Sequence, residues 1–393
     1  MLTTSDVVEL NPRSPGHGGI AVARHDGQAV FVRGALPGEQ VRAVITEVKK
    51  SYARATTVEV LEASEYRVPP ACPAAAVGAG CCDLTIAAPD YQREWKSEVL
   101  ADLLVRFGRF APGELTPKVA EITPSLTSGW RHRARLHADT DGTLGWRAAR
   151  SHAIVDATGC AQLPAGFTDG LRVASVGEVA VVIDDDGARH AVGPGGRVLD
   201  GTGIAAYRVG RTAWRLSAGA FWQAHRDAAA RYSELVDRWT GEALAAGTVA
   251  SGSRAWDLYG GAGVFAAVLA RRGLAVDVVE TAPVAVAAGR QALGGAVRFH
   301  CGDVARTVGQ LRPPGLVVLD PPRAGAGKAV VAAVTAAGPG AVIHVGCDPA
   351  AFARDLALYR DCGYLVREAV ALDAFPGTHH LECLAVLSPG RAP

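Results

Sequence analysis

RAWDLYGGAGVFAAVLARRGLAVDVVE, residues 254–280, contains the pattern that decides the fold. An apolar run leads into a glycine-rich turn, an alanine-rich helical stretch follows, and a second apolar run closes the segment. The same rhythm continues through VRFHCGD (297–303), GLVVLDPPRAG (315–325) and AVIHVGCDP (341–349). Apolar strands that alternate with helices form parallel βαβ units. We therefore predict an α/β domain with a doubly wound parallel sheet from residue 251 onward.

The composition is that of an ordinary globular protein. The chain has 393 residues, 49% hydrophobic and 20% charged, which suggests two or three domains. Its formal net charge of +1 gives no overall preference for nucleic acid, so any basic surface must be local. We see no signal peptide and no apolar stretch of membrane-spanning length, and we expect a cytoplasmic protein. The eight cysteines then indicate thiols or metal ligands rather than a disulfide framework.

The N-terminal part reads as β structure. Residues 17–61 contain short alternating β-prone runs separated by Gly, Pro and Asp turns, which predicts a small five-stranded barrel. Arg and Lys on its strands and loops fit an OB-like nucleic-acid module, although a generic β domain gives a similar pattern. Both interpretations stay open on this evidence.

A helix and a basic hairpin are predicted between the barrel and the α/β part. Apolar positions recur at helical spacing over about 90–108. Residues 130–150 read as a hairpin with five arginines against two aspartates. Arg131, Arg133 and Arg135 alternate along its first strand, so all three are expected on one face. That face either contacts phosphates or is simply solvated.

Polar side chains end several of the predicted parallel strands. The glycine turn of residues 257–265 lets a ligand approach the backbone, although it lacks the G-x-G-x-x-G spacing of a dinucleotide site. Glu280 ends the next strand and is suited to ribose hydroxyls, while Asp303 is suited to an adenine amino group. Polar residues at three strand ends, without the glycine spacing of a dinucleotide site, favour S-adenosylmethionine over NAD as the cofactor. Asp320 ends a fourth strand, as a site residue or a turn cap, and Cys347 ends a fifth, as a buried apolar residue or a reactive thiol.

Seven features follow one another in a specific order. They are HGGIAVARHDGQAVFVRGALPGEQV (17–41), a cysteine cluster, SAGAFWQAH (217–225), DLYGGAGVF (257–265), LDPPRAG (319–325), VGCDPAAFARDL (345–356) and DAFPGTHHLECLAVL (373–387). With these motifs the chain resembles the bacterial uracil-5 RNA methyltransferases, which make 5-methyluridine in transfer and ribosomal RNA. The resemblance covers nearly the whole chain.

The resemblance implies an architecture of three domains. Residues 1–62 would form an OB-like, RNA-binding TRAM barrel, and residues 63–215 a small central α+β domain. Residues 216–393 would form a Rossmann-like class I methyltransferase domain, on which the helix at 90–108 could pack. The implied cofactor is S-adenosylmethionine, the implied partner is tRNA or rRNA, and we expect a monomer without membrane contact.

The resemblance also assigns site residues. Cys347 matches the thiol that adds to carbon 6 of uracil, which makes carbon 5 nucleophilic enough to accept a methyl group. Glu382 matches the base that then removes the carbon 5 proton. Gln223 matches a glutamine at the cofactor site, and Phe221 is expected to help hold the target base. The remaining cofactor positions are Tyr259, Gly261, Gly263, Glu280, Asp303 and Asp320.

Two departures from the family pattern stand out. Asp348 follows the nucleophile where the family usually has Asn, and a negative charge there would raise the pKa of the thiol. Many members also hold a [4Fe-4S] cluster on four cysteines. This chain has four cysteines with altered spacing, Cys72, Cys81, Cys82 and Cys160. They are expected to bind such a cluster, with a relict or zinc-type site as the alternative.

Three further cysteines and two rival functions complete the expectations. Cys301, Cys362 and Cys383 match no catalytic position and are expected to be packing residues. An RNA-binding or RNA-folding protein with lost or weak turnover is the alternative function, but the joint presence of Cys347, Glu382 and Asp320 argues against it. A small-molecule methyltransferase would leave the barrel and the arginine hairpin without a purpose.

Overall fold

The computed structural model describes residues 2–149, 151–173 and 177–390. Arg150, one of the five arginines of the predicted hairpin, lies outside these residues. The described chain forms a six-stranded barrel-like sheet, a second six-stranded sheet, a two-stranded hairpin and an eight-stranded sheet. No helix among these residues is both long and apolar enough to cross a membrane.

The N-terminal sheet contains six strands rather than the five predicted. They are β1 (Val7–Leu10), β2 (Ser14–Gly16), β3 (Ile20–His25), β4 (Gln28–Arg33), β5 (Gln40–Val48) and β6 (Tyr52–Glu62), in the order β1-β5-β6-β4-β3-β2. Alternate residues of β3 to β6 are buried, which is the period-2 pattern that predicted them. Apart from its last residue, Glu62, the stretch from β3 to β6 lies within the predicted range 17–61, whereas β1 and β2 precede it and were not predicted. Strand β2 has three residues, one of them proline, and so offers no alternation.

The next segment carries the predicted helix. After the short helix α1 (Pro73–Ala76), α2 spans Pro89–Arg106 and confirms the helix expected at 90–108. Pro89 occupies the first turn, where its missing N–H is not needed. The buried residues of α2 include Trp95, Val99 and Leu103, which belong to the core beneath the eight-stranded sheet. The short strand β7 (Val119–Glu121) is the edge strand of that sheet.

The second six-stranded sheet is antiparallel and contains the predicted hairpin. Its strands are β8 (Arg133–Ala138), β9 (Leu144–Arg147), β10 (Ile154–Asp156), β11 (Gly177–Ile183), β12 (Arg189–Val192) and β13 (Val198–Asp200), in the order β10-β9-β8-β11-β12-β13. A separate hairpin, β14 (Ile204–Val209) with β15 (Thr212–Ser217), leads into the last part of the chain. The expected domain division at residue 215 falls inside β15, and the three-domain division stays a prediction.

The C-terminal part confirms the α/β prediction. Its helices are α3 (Ala228–Ala245), α4 (Val264–Arg271), α5 (Pro283–Leu293), α6 (Val304–Thr307), α7 (Gly327–Ala336) and α8 (Pro349–Asp361). Its strands are β16 (Arg254–Leu258), β17 (Ala275–Glu280), β18 (Val297–Cys301), β19 (Leu316–Leu319), β20 (Ala341–Gly346), β21 (Tyr364–Asp373) and β22 (Glu382–Pro389).

The eight-stranded sheet has the order β18-β17-β16-β19-β20-β22-β21-β7. Strands β16 to β20 are parallel, whereas β22 runs antiparallel to both of its neighbours. Successive residues point to opposite faces, so Val317 packs in one core and Val318 in the other. Helices α3, α4 and α5 cover one face, and α2, α7 and α8 cover the other. Strand order reverses between β16 and β19, which is where such sheets bind ligands.

Candidate active site

Three titratable side chains meet at the carboxyl edge of the eight-stranded sheet. Gly346 at the end of β20 pairs with Cys383 of β22, so the next residues outward, Cys347 and Glu382, lie opposite each other. Asp320 directly follows β19, the other neighbour of β20. Asp320 acts electrostatically on both groups, in accordance with this proximity. The sequence motifs that carry these residues therefore converge on one point.

Burial opposes ionisation of all three groups in this cluster. Burial, and then the charges of Glu382 and Asp320, raise the pKa of the Cys347 thiol to about 12, while Arg323 acts to lower it. Burial and the charge of Asp320 raise the pKa of Glu382 well above its usual range. Burial also raises the pKa of Asp320 to about 7. The arrangement can hold and transfer protons, and a bound substrate must alter these surroundings before the thiolate forms.

Tyr232 of α3 is a fourth member that the sequence did not reveal. Its side chain is fully buried, and its hydroxyl donates to Oε2 of Glu382 at 3.5 Å. This bond favours the ionised form of the carboxyl and so opposes the effect of burial on the pKa of Glu382. In the sequence Tyr232 is one apolar position of an amphipathic helix, which gives no sign of a polar role.

The expected effect of Asp348 on the pKa of the thiol stays a prediction. Burial, Glu382 and Asp320 raise the pKa of Cys347, and both Asp348 oxygens have partners of their own. Oδ1 accepts a hydrogen bond from the backbone N–H of Ala351 at 2.8 Å and so caps α8, and Oδ2 lies 3.6 Å from Nε2 of His17. Burial acts to raise the pKa of Asp348, but these two interactions outweigh it and lower the pKa to about 2.

The expected cofactor residues lie at the tips of β16, β17 and β18. Tyr259 has a φ of +59°, Gly261 of +55° and Gly263 of +79°, so the turn between β16 and α4 uses the left-handed region three times. The backbone N–H of Gly261 donates to Oε2 of Glu280 at 2.9 Å, which fixes that carboxylate at the tip of β17. Asp303 follows β18 and caps α6 by accepting from the backbone N–H of Arg306 at 3.1 Å.

Asp257 at the end of β16 was not singled out from the sequence. It is completely buried, its Oδ2 accepts from the backbone N–H of Ala266 at 2.9 Å, and its Oδ1 has no partner among the described residues. Burial raises the pKa of Asp257 to about 8. It packs beneath the glycine turn, because a Cβ on Gly260 would lie 2.7 Å from its carboxyl carbon. Asp257 therefore shapes the turn from below.

The loop that carries Phe221 and Gln223 lies against the arginine hairpin. The Arg133 guanidinium donates to the carbonyl oxygen of Ala220 at 2.6 Å and lies 6.0 Å from the ring centre of Phe221. The Phe221 side chain is exposed, whereas the neighbouring Trp222 is buried and stacks on Tyr207 at 4.4 Å between ring centres. The exposed ring is thus held on a rigid support.

The prediction that three arginines share one solvent-facing surface was wrong. The loop that contains Ala220 and Phe221 covers Arg133, which is buried. Arg131 precedes the strand, donates to Oε1 of Gln162 at 2.8 Å and stacks over Trp146. Only Arg135 of the three is exposed, and it pairs with Glu178 at 2.7 Å. Alternation along a strand cannot distinguish a solvated face from one covered by a distant loop.

An open groove of about 500 Å³ supplies a basic surface beside this hairpin. The groove is lined by Arg33 of the barrel, by Arg135, His137 and Arg147 of the hairpin, and by His152. No Asp or Glu lines it in the described part of the chain. The neighbouring Arg147 lowers the pKa of His137, after the larger effect of burial. The groove therefore attracts anions.

The four candidate metal-ligating cysteines lie together at the edge of the same groove, where Cys81 contributes to the lining. The Sγ atoms of Cys72 and Cys160 are 4.0 Å apart, and those of Cys81 and Cys82 are 3.7 Å apart. Hydrogen bonds from the other three thiols lower the pKa of Cys160. Across the described ranges, however, no group of three or more His, Cys, Asp or Glu side chains is placed to hold a metal ion.

The three remaining cysteines differ from one another. Cys383 is buried in β22, as expected for a packing residue. The same expectation was wrong for Cys301 and Cys362, which are both exposed. Cys301 ends an edge strand of the sheet and Cys362 caps the C-terminus of α8, so neither reaches the core.

The fold and the site define a class of protein. A parallel sheet with reversed strand order, one antiparallel strand and acidic residues at three strand tips is the fold of a class I methyltransferase. The barrel and the basic groove add a surface suited to nucleic acid.

Comparison with known proteins identifies the family. The TRAM domain family matches residues 7–58, and the tRNA (Uracil-5-)-methyltransferase family matches residues 314–389. A Corynebacterium efficiens protein named an uncharacterized RNA methyltransferase is 41% identical over 406 residues, covering 98% of this chain and 96% of its own. The 23S rRNA (uracil(1939)-C(5))-methyltransferase RlmD of Halomonas elongata is 33% identical over 441 residues, covering 96% and 89%.

A solved structure shows the same fold. The Pyrococcus abyssi tRNA (uracil-54, C5)-methyltransferase, in complex with S-adenosyl-L-homocysteine, superimposes with a TM-score of 0.71 at 20% identity, covering 96% of this chain and 99% of that chain. The chain belongs to the uracil-5 RNA methyltransferase family, whose members depend on S-adenosylmethionine. It is an enzyme of the RNA (uracil-5-)-methyltransferase class, and the resemblance read from its motifs is confirmed.

Proposed function

We propose that this enzyme methylates carbon 5 of a uridine in tRNA or rRNA through a covalent bond between Cys347 and carbon 6. The observation that carries the proposal is the strand register, which sets Cys347 opposite Glu382 with Asp320 beside them. A thiol and a buried carboxyl at one point are what a reaction needs when it begins with nucleophilic addition and ends with proton removal.

The proposed reaction begins when the Cys347 thiol loses its proton to solvent. The thiolate then forms a bond to carbon 6, and the electron pair of the carbon 5–carbon 6 double bond becomes available at carbon 5. S-adenosylmethionine, when bound, would supply the methyl group that carbon 5 takes up and would leave as the neutral thioether S-adenosylhomocysteine. Glu382 in its ionised form then accepts the carbon 5 proton, the sulfur–carbon 6 bond breaks, and the double bond and the thiolate are restored. Because Glu382 must be ionised at that point, its bond from Tyr232 favours the active form.

The cofactor would lie across the tips of β16 to β19. Glu280 is proposed to bind the ribose hydroxyls and Asp303 the adenine amino group, with Gly261 and Gly263 leaving room for the cofactor. Gln223 and Tyr259 would line the same site, and Asp320 would lie between the cofactor and the target base. Phe221, exposed near Arg133, is proposed to stack on the unstacked uridine.

We propose that the basic groove binds the RNA backbone. Arg33 and Arg147 have no side-chain partner among the described residues, so both guanidinium groups are free for phosphates. Arg135 connects the groove to the active-site loop, because its guanidinium also donates to the carbonyl oxygen of Gly219 at 3.4 Å. RNA held in the groove would thus lead toward Phe221.

The groove is tested by changing Arg33, Arg135 and Arg147 together to alanine. RNA binding should weaken, and the salt slope of the affinity should fall by roughly two to three units, at about 0.7 to 0.9 per lost phosphate contact. The matched control changes three exposed arginines outside the groove, Arg211, Arg271 and Arg312. Equal RNA affinity and salt slope in the two triple variants would reject the groove as the RNA site.

The catalytic assignment is tested with Cys347→Ser. Methyl transfer to RNA should be lost while S-adenosylmethionine affinity stays within a few-fold of wild type, because the thiol acts on the RNA. Mass spectrometry of nucleosides from a deletion strain, complemented with wild type or Cys347→Ser, measures the activity and separates tRNA from rRNA. Retained 5-methyluridine with the variant would reject the mechanism.

We further propose that Cys72, Cys81, Cys82 and Cys160 hold a [4Fe-4S] cluster. The proposal is supported by the chemistry of the side chains, since four thiols lie near one another and thiolates are the usual ligands of such clusters. As described, these side chains form two close pairs rather than a ligand group for a metal, so binding would have to draw the pairs together around the cluster. The cluster would cross-link the cysteine loop to the segment that follows β10. We also propose that the protein acts as a cytoplasmic monomer, which size-exclusion chromatography with light scattering would check.

A further inference from the structure

The barrel reaches the catalytic edge through the loop that connects β2 and β3. His17 in this loop lies with Nε2 3.6 Å from Oδ2 of Asp348, the residue that follows Cys347. The barrel is thus in direct contact with the catalytic loop. Its role is not confined to the groove on the other side of the hairpin.

The loop is fixed from two further directions. Gly19 lies so close to the Asp83 carboxylate that a Cβ would not fit between them. The same carboxylate accepts from the backbone N–H of His379 at 2.9 Å and also bonds its imidazole. The His379 ring meets the His17 ring edge-on at 6.0 Å between centres. The barrel, the cysteine-bearing segment and the loop that leads to Glu382 therefore meet at His17.

The contact matters because of where Asp348 lies. Its Oδ1 is used to cap α8, so Oδ2 is the oxygen left to carry negative charge beside the turn that holds Cys347. A negative charge near a thiol opposes ionisation of the thiol. The other groups around this turn are the acidic Glu382 and Asp320 and the basic Arg323 and Arg354. An unpartnered Asp348 would add a negative charge to surroundings that already oppose ionisation of the thiol.

We propose that His17 is a positioning residue for the thiol-addition step, because it provides the partner that neutralises Asp348 next to Cys347. In catalysis this role rests on the proposed function of Cys347. An uncharged Asn at this position would need no such partner. His17 in the barrel and Asp348 in the catalytic loop therefore act as a matched pair.

The pair is tested by the reactivity of Cys347 in the RNA-free protein. The rate of alkylation by iodoacetamide is followed by mass spectrometry of the Cys347 peptide for wild type, His17→Gln, Asp348→Asn and the double variant. His17→Gln should slow alkylation about three- to fivefold, because the thiolate fraction falls tenfold per unit rise in the thiol pKa and a partly exposed partner contributes less than about one unit.

The Asp348→Asn background distinguishes charge pairing from packing. Asn can still cap α8 but carries no charge, so His17→Gln should have no further effect on alkylation there. A merely structural His17 would slow alkylation equally in both backgrounds. That result, or a His17→Gln rate within twofold of wild type, would overturn the inference.

Methylation assays on the same four proteins separate this inference from the proposed function. If alkylation depends on the His17–Asp348 pair but Cys347→Ser still transfers methyl groups to RNA, the pair is supported and the proposed catalytic mechanism is rejected. If methylation requires Cys347 but His17→Gln changes neither methylation nor the alkylation rate, the role of the His17–Asp348 pair is rejected and the proposed mechanism is not.

Discussion

Replacing Lys96 with methionine should destabilise the contact between α2 and the eight-stranded sheet. The Lys96 ammonium donates to Oδ1 of Asp373 at 2.6 Å and to the carbonyl oxygen of Phe375 at 3.2 Å. The two charged side chains are only 1% and 4% exposed. Methionine nearly preserves the volume, so the main effect is a buried Asp373 carboxylate without a cation, which costs about 3–5 kcal/mol. The backbone N–H of Phe375 still donates to this carboxylate at 3.3 Å, so we expect a cost near the lower end of that range.

Hydrogen exchange of peptides from α2 and β21 measures this loss locally. A decrease of about 3 kcal/mol in opening free energy speeds exchange by on the order of a hundredfold. The matched control is Arg106→Met on the same helix, whose partner Asp102 lies at 3.2 Å with side chains 64% and 59% exposed. That control should cost under about 1 kcal/mol.

A further substitution tests the reason for the loss. Adding Asp373→Asn to Lys96→Met removes the orphaned charge and should recover most of the lost opening free energy. If Lys96→Met exchanged no faster than Arg106→Met, the reasoning that α2 is held by a dry ion pair would be refuted.

Three further predictions concern the cofactor turn, the thiol and the cysteine cluster. Gly263→Ala should weaken S-adenosylmethionine binding at least tenfold by calorimetry, since the φ of Gly263 is +79° and a Cβ would lie 2.8 Å from Phe299. The control Gly273→Ala should leave the affinity unchanged, because Gly273 has a similar φ of +81° but no atom within 4 Å of the added Cβ. Alkylation of Cys347 should rise about tenfold per pH unit from about pH 7 to 10, because its pKa is raised to about 12; a plateau in that range would contradict this assignment. Anaerobically purified protein should contain iron that Cys72→Ser or Cys160→Ser removes; zinc instead would support the zinc-type site, and neither metal would reject the cluster.

The parallel sheet could be predicted because its signal is local. Strands β16 to β20 are short apolar runs with helices between them, and burial on both faces requires that composition. The glycine turn and the polar strand ends were equally visible, since each follows its strand directly. Cys347 and Glu382 could also be identified from sequence motifs. That they lie opposite each other follows only from the antiparallel pairing of β20 with β22 in the folded protein.

The contacts that the sequence did not reveal join distant segments. Lys96 and Asp373 are 277 positions apart, and His17 and Asp348 belong to different ends of the chain. A three-residue strand such as β7 carries no periodicity, so its place at the edge of the eight-stranded sheet depends on its partner β21. Tyr232 has the spacing of a core residue, and only packing shows that its hydroxyl meets a carboxylate.

The most direct test of the central claim is the covalent state of Glu382→Gln after reaction with RNA and S-adenosylmethionine. The variant can add its thiol and methylate carbon 5 but cannot remove the carbon 5 proton, so it should stall as a covalent protein–RNA adduct. Intact-mass and peptide mass spectrometry should place a methylated uridine on Cys347, and the Cys347→Ser/Glu382→Gln double variant should show no adduct. Free 5-methyluridine released at the wild-type rate without an adduct would contradict the account.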